Sequence, residues 1–354
     1  MTQNYSKEFL INNHLIGQGQ PPFLVAEISA NHNGSIERAF QTILAAKDSG
    51  ANAVKIQSYT PDTMTIKSSS TDFIINEGLW SGRTLYDLYS DAYTPFEWHK
   101  PLFEFGSQHN ITIFSSPFDE TALEILESLN CPAYKIASFE LIDFKLVDAV
   151  SKCGKPMIMS TGMASLDEIG DALEVVKKNG INNVVLLHCV SSYPTPLSEV
   201  NLEFMRVIKN EFDIAIGLSD HTIDNSVAVT AAAMGAVVIE KHFTISRSDG
   251  GVDSDFSVEP KEFSDLVKEI KKTKMIIGNG NPLRSEAEIN NRKYRRSLYF
   301  TKSMKKGEKI TEKHIKSIRP GFGLSTKYYE SLIGKTIDRN VEKGDRVLMG
   351  DVEK

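Results

Sequence analysis

Val237 to Thr244 reads VVIEKHFT, and Ile214 to Thr222 reads IAIGLSDHT. Each is an apolar, β-branched run that closes on small and polar residues and a histidine, His221 in the upstream stretch and His242 in the downstream one. The joining segment, residues 224–236 (DNSVAVTAAAMGA), is Ala-rich, has no proline and is long enough for a crossover helix. Strand, helix, strand implies two parallel neighbours. Histidines at the same end of adjacent parallel strands bring their imidazoles close enough to share one metal ion, and neutral imidazole is the commonest protein ligand for such ions. A lone buried histidine is more often a hydrogen-bonded core residue. Asp220 and Glu240 beside this pair weigh against that explanation.

Upstream, the same rhythm repeats. Residues 1–22 read as a short strand or arm closed by Gly17, Gly19, Pro21 and Pro22. FLVAEIS (23–29), AVKIQS (53–58), ITIFSS (111–116), AYKIAS (133–138), PMIMST (156–161) and VVLLHC (184–189) read as strands. Helices are expected between them at 36–49, 94–108, 120–129, 144–152, 165–178 and 201–210; Thr94-Pro95 opens one with proline in its first turn, and Ser165 caps another. Residues 59–93, rich in Ser, Thr, Asp and Gly, are too long for a plain connection and form a candidate substrate loop. With the opening pair the count is eight strands, an α/β chain with the pattern of a (β/α)₈ TIM barrel.

Such barrels carry their reactive groups at the C-terminal ends of the strands. The late strand positions hold Glu27, Lys55, Gln57, Ser115, Ser116, Lys135, Ser138, Ser160, Thr161, His188, Ser219, His221, Glu240 and His242, whereas the beginnings are Val, Ile, Phe, Ala or Pro. A doubly wound sheet would place ligands similarly, but ANHNG after the first strand is not a dinucleotide-binding turn. The barrel is expected over 1–280, followed by a polar linker at 281–294. A small β-rich domain is expected at 295–354, where RRSLYFTK, HIKSIRP, KTIDRNV and RVLMG are short strand-like runs and the size calls for support from another surface.

The 354 residues suit a large barrel plus an appendage, and 41% hydrophobic residues are ample for a core. With 46 acids, 40 bases and no basic stripe, nothing asks for nucleic acid or a membrane surface. The start, MTQNYSKEFLINNHLIGQGQPP, lacks the apolar core of a signal peptide, and no run reaches the roughly 18 apolar residues of a membrane span; a cytoplasmic enzyme is the expectation. Cys131, Cys153 and Cys189 are odd in number and set in apolar sequence, as structural thiols are.

Lysines and hydroxyls facing one cavity suit a phosphate, and a metal on two histidines keeps positions open for substrate oxygens or water. Glu27 then handles a proton near that centre. A strand-end serine can equally be a turn residue, and Lys55 or Lys135 a satisfied ion-pair partner or even a Schiff-base nucleophile. The last is disfavoured because such a lysine needs no histidine pair.

AEISANHNG (26–34), AVKIQ (53–57), FSSPFD (114–119), YKIASFE (134–140), STGM (160–163), LLHCVSSYPTP (186–196), GLSDHT (217–222), EKHFT (240–244) and IRPGFG (318–323) occur here in one order. On these motifs the chain resembles the sialic acid synthase family, metal-dependent enzymes that condense phosphoenolpyruvate with an amino sugar aldehyde. The resemblance implies manganese, with magnesium or cobalt as alternatives, on His221 and His242. It implies phosphoenolpyruvate contacts at Lys55, Lys135, Ser116, Ser138, Ser160 and Ser219, and a catalytic acid at Glu27. Tyr193 and Asp253 then face the sugar, with Glu240 supporting the last strand end. The tail resembles that family's antifreeze-like (SAF) domain, which implies a homodimer in which Arg319 is offered to the partner's active site. Ser191-Ser192 stands where enzymes taking N-acetylmannosamine have an asparagine before the Tyr-Pro-Thr-Pro segment. GLWSGRTLYDLY (78–89), YTPFEWH (93–99) and RSDGGVDSDFS (247–257) resemble instead the branch that takes a 2,4-diacetamido-2,4,6-trideoxy altrose, against whose methyl and acetamido groups Trp80 and Tyr86 would pack. A sister enzyme for the legionaminic or N-acetylneuraminic sugar, and a non-catalytic sugar-phosphate binding protein, are the alternatives.

Overall fold

The computed structural model describes residues 5–282 and 284–352. Residues 1–4, 283, 353 and 354, which the expected domains and linker include, lie outside the described residues. The chain divides into two compact units, the first ending at Ile277 and the second beginning at Gly278.

In the first unit, β1 (Glu8–Ile11) and β2 (His14–Gly17) form an antiparallel hairpin. Phe9, Ile11 and Ile16 of this hairpin enter the main core, and Asn12 Nδ2 donates to Thr112 Oγ1, 3.2 Å away, on the first residue of a barrel strand. The hairpin therefore lies at the N-terminal end of the barrel, opposite the strand ends that carry polar residues.

Eight parallel strands follow: β3 (Phe23–Glu27), β4 (Ala53–Ser58), β5 (Thr112–Pro117), β6 (Tyr134–Ile136), β7 (Met157–Ser160), β8 (Val184–Cys189), β9 (Ala215–Asp220) and β10 (Val238–His242). They close in sequence order, with β10 pairing with both β9 and β3. This is the TIM barrel that the sequence pattern predicts. The crossover between β9 and β10 is the helix Ser226–Ala233, and Val227, Ala228 and Ala231 are its buried face. Ser165 caps the helix Leu166–Lys178, accepting from Glu168 N while Glu168 reaches back to the cap. At Phe96–Gln108 proline occupies the cap itself, Pro95, rather than the first turn.

Two local features set the strand packing. Along β9, Gly217 has no Cβ because one would lie 2.4 Å from Val238 O and 2.6 Å from Leu187 Cδ2, so the neighbouring chain can pass close. Alternation along each strand then sends successive side chains into the barrel and toward the helices. Register aligns His242 with Glu27, Glu27 with Lys55, and Glu240 with Ser219.

The insertion expected to be irregular contains the short helix Leu85–Ala92, capped by Thr84 Oγ1 accepting from Asp87 N. In the second unit, the stretch read as a linker holds the short helix Glu286–Asn290. After it, β11 (Ser297–Phe300) and β12 (Ile315–Ile318) pair antiparallel, and among the described residues only isolated bridges such as Met304 to Val341 and Ile337 to Val352 involve the later runs. This unit has its own core of Leu298, Phe300, Met304, Ile310, Ile315, Leu332, Ile337, Val341 and Val347.

Candidate active site

At the C-terminal end of the barrel, ion pairs and hydrogen bonds bring Glu27, Lys55, Ser116, Lys135, Ser219 and Glu240 together. Lys55 Nζ pairs with Glu27 Oε2 and lies 3.5 Å from both Glu240 Oε1 and Ser116 Oγ. Lys135 Nζ and Ser219 Oγ each donate to Glu240 Oε1 at 3.2 Å. Glu27 Oε1 accepts from Ser29 N at 2.7 Å. Ser138 Oγ accepts from Gly162 N at 3.1 Å, and the buried Ser160 hydroxyl has no hydrogen-bond partner among the described residues. A Cβ on Gly162 would stand 2.3 Å from Ser191 Oγ and 2.7 Å from Ser138 Oγ, so only glycine lets these hydroxyls converge.

The charges in this cluster are unequal. Burial opposes the Lys55 ammonium, yet Glu240 and Glu27 hold its pKa above the usual lysine value. For Lys135 burial wins and its pKa is lowered. Burial also opposes the Glu240 carboxylate, but Lys135 and Lys55 outweigh it and bring that carboxyl down to about 2.

Beside this cluster, the His221 and His242 rings are 5.3 Å apart between centroids, and both residues are buried. His221 Nδ1 is 2.9 Å from Val190 O, and a carbonyl can only accept, so Nδ1 carries a proton and, in the neutral ring, Nε2 is the nitrogen with a free lone pair. His242 Nδ1 is buried without a hydrogen bond among the described residues, although Asp253 Oδ2 is 3.4 Å away. Among the described residues no group of three or more His, Cys, Asp or Glu could hold a metal. Two imidazole nitrogens with no third protein ligand fit an exchangeable divalent ion whose other positions are filled by water and substrate oxygens.

An aromatic wall flanks the histidines. Tyr193 lies 4.4 Å from His221, Phe256 lies 4.9 Å from His242, and Trp80 lies 5.7 Å from Tyr193 and 6.2 Å from Phe256 between centroids. Trp80 Nε1 donates to Val252 O at 3.0 Å, joining the insertion to the loop after β10. Next to this wall opens a cavity of about 660 Å³ lined by Leu79, Trp80, Arg83, Val252 and Asp255 among others. Tyr86 is not in that wall; its hydroxyl donates to Asp62 at 3.2 Å.

Two expected positions, Ser115 and His188, face away from the cavity. Ser115 faces the helix layer, where its hydroxyl is 2.6 Å from Ser58 Oγ, itself 2.6 Å from His99 Nε2. His188 also points outward, with Nε2 2.7 Å from Val200 O and its ring against Phe204. Strand alternation accounts for both, since each is the neighbour of an inward-facing position. Arg319 lies in the second unit, exposed, after β12. Its loop is held by Ser297 Oγ donating to Pro320 O at 2.6 Å and by Gly321 N donating to Lys293 O at 2.9 Å.

Two residues emerge that the strand-end pattern does not single out. Glu140 follows β6 on a short turn; burial pushes its carboxyl up to about 7 against the pull of Lys135 and Lys55, and its Oε2 has no hydrogen-bond partner among the described residues. Cys189 Sγ is 3.8 Å from His221 Nδ1; burial raises the thiol, but the imidazole prevails and brings it to about 7. All three cysteines are free.

Fold and site together define a class: a TIM barrel whose mouth holds buried ammoniums, hydroxyls and a histidine pair, suited to an anionic substrate and a divalent ion. Residues 42–282 match the NeuB family and residues 295–353 the SAF domain. A pseudaminic acid synthase of Campylobacter jejuni is 43% identical over 331 residues, spanning 94% of this chain and 96% of that one. Another, from Helicobacter pylori, is 40% identical and spans 95% and 99%. The crystal structure of N-acetylneuraminic acid synthetase from Leptospira borgpetersenii, in complex with citrate, superposes with a TM-score of 0.73 at 32% identity, over 81% of this chain and 96% of that one. The chain belongs to the NeuB family.

Proposed function

We propose that this chain is a pseudaminic acid synthase, a transferase that condenses phosphoenolpyruvate with 2,4-diacetamido-2,4,6-trideoxy-L-altrose and water to give pseudaminic acid and phosphate. The observation that carries the chemistry is the buried Lys55, Lys135, Glu27 and Glu240 cluster beside two imidazoles that lack a third protein ligand. The branch rests on the likeness to the two pseudaminic acid synthases and on the aromatic wall.

In this reading Lys55 and Lys135, with Ser116, Ser138, Ser160 and Ser219, bind the phosphate and carboxylate of phosphoenolpyruvate. Glu240 holds the ammoniums in place. Tyr193, Asp253 and Trp80 orient the open-chain sugar so that its aldehyde carbon meets carbon three of phosphoenolpyruvate, and the wall excludes bulk water. As that bond forms, positive charge develops at carbon two beside the bound phosphate. Water adds there, Glu27 takes its proton, and the tetrahedral intermediate expels phosphate by carbon-oxygen cleavage. Glu140, titrating near 7, is suited to deliver the proton that the former aldehyde oxygen requires. A divalent cation, manganese in the first instance, would be held by His221 and His242 and would supply Lewis-acid polarisation of the aldehyde oxygen.

The reading includes a homodimer in which the partner's Arg319 completes the site. Supporting it, Phe139, Ile142, Met163, Leu197 and Ile223 are exposed on the loops after β6, β7, β8 and β9, an apolar rim that a second copy would cover. No helix among the described residues is long and apolar enough to cross a membrane; a cytoplasmic enzyme accords with small-molecule substrates.

The test is phosphate release from phosphoenolpyruvate with manganese present, comparing the altrose sugar, its legionaminic counterpart and N-acetylmannosamine. Preference for the altrose sugar is expected. Turnover with another sugar alone would overturn the branch, and turnover with none would overturn the enzyme reading. His221→Ala should remove both turnover and divalent-ion binding with the unfolding temperature preserved.

A further inference from the structure

Two charged side chains without a part in this chemistry sit directly behind the histidine pair. Asp220 and Lys241 each precede one of the histidines by a single residue, and alternation turns both outward from the barrel. Lys241 Nζ donates to Asp220 Oδ2 at 2.7 Å, to Thr222 O, and to Asp224 O at 3.3 Å. Asp220 Oδ1 accepts from Thr222 N at 2.9 Å and from Thr222 Oγ1 at 2.7 Å. Both charged side chains are 1% exposed. One ammonium and one carboxylate thus tie the end of β10 to the end of β9 and hold the turn that leaves His221.

A buried ion pair contributes little net stability compared with a well-packed apolar pair, so stability alone is a weak reason for one here. Geometry supplies a stronger one. The pair joins the two backbone positions next to the imidazoles, the place where their separation is set.

We infer that Asp220 and Lys241 are positioning residues that fix the spacing of His221 and His242 for a divalent cation, acting through the backbone and touching neither substrate nor ion. This rests on the reading that the two histidines hold such a cation. Groups bonded directly to a ligating side chain change metal affinity by about 10- to 100-fold; this pair acts one step further out, through the backbone, so the low end of that range is expected.

The experiment is calorimetric titration of the metal-free full-length protein with Mn²⁺, alongside thermal unfolding, for wild type, Lys241→Met and Asp220→Asn/Lys241→Met. Both variants should bind Mn²⁺ at least about tenfold more weakly, and the double variant, which buries no unpaired charge, should recover unfolding temperature without recovering affinity. The KM for phosphoenolpyruvate at saturating Mn²⁺ should stay near the wild-type value. Wild-type affinity in any folded variant, or affinity that returns together with unfolding temperature, would overturn the inference, as would failure of both variants to fold. Wild-type protein that takes up no Mn²⁺ would refute the underlying metal reading and the inference with it.

Discussion

Glu240→Gln removes one charge from the centre of the site and keeps the shape of the side chain. In the wild type, Glu240 Oε1 accepts from Lys135 and Ser219, each at 3.2 Å, and stands 3.5 Å from Lys55 Nζ. Burial works against the charge, yet the two ammoniums bring the carboxyl from 4.5 to about 2. At about 1.4 kcal/mol per tenfold change, the ionised carboxylate stabilises the folded barrel by roughly 3 kcal/mol at neutral pH. That matches the order of loss, about 3–5 kcal/mol, seen when one partner of a buried pair is removed. Lys55 keeps Glu27, whereas Lys135 loses the carboxylate it is bonded to. Denaturant unfolding near pH 7 should therefore show a deficit of about 3 kcal/mol. Because the folded-state pKa lies below the unfolded value, the contribution is complete above 4.5 and lost as pH falls toward 2, so the deficit should shrink across that window. The variant also holds uncompensated positive charge, so phosphoenolpyruvate should raise its unfolding temperature by more than it raises the wild type's. Equal denaturation midpoints at neutral pH, or a deficit that does not narrow on acidification, would refute the reasoning.

Glu140→Gln should abolish an inflection near pH 7 in kcat/KM, because burial brings the Glu140 carboxyl up to about 7; it should also be the more stable protein once pH passes the unfolded carboxyl value of 4.5, where the unfolded wild type ionises and the folded one does not, the gain growing up to about pH 7 and constant beyond. Gly162→Ala forces a methyl group within 2.3 Å of Ser191 Oγ and 2.7 Å of Ser138 Oγ, and initial-rate measurements should show the KM for phosphoenolpyruvate raised, by roughly tenfold for one lost hydrogen bond. Trp80→Ala opens the aromatic wall and should raise the KM for the sugar by about tenfold or more while leaving that for phosphoenolpyruvate unchanged.

The barrel was legible because each strand ended in a polar cluster and each crossover had its own cap or breaker. The closeness of His221 and His242 followed from two strands and one helix, and the structure puts the rings 5.3 Å apart. Alternation was harder to read. A run such as FSS places Ser115 and Ser116 on opposite sides of the wall, and nothing in the letters says which faces the cavity until register is fixed. Glu140 escaped the pattern because it follows the strand on a turn, and its orphaned oxygen exists only once Lys135 and the surrounding apolar residues are in place. Cys189 looked like an ordinary buried thiol; its neighbour His221 comes from the adjacent strand, 32 residues on. The insertion hid the helix Leu85–Ala92 since one short amphipathic stretch among polar residues carries little periodic signal.

The bond from Trp80 Nε1 to Val252 O stitches residues 172 apart in the chain into one wall. The two loops are therefore best exchanged together in engineering. Transplanting the 78–99 segment alone into a relative would keep the indole bonded only where that relative's loop after β10 holds a carbonyl at the place of Val252 O, and transplanting the 247–257 loop alone would need an indole or equivalent donor at the place of Trp80. A chimaera meant to exchange sugar preference has to carry both pieces, and libraries that vary one loop at a time will mostly sample broken walls.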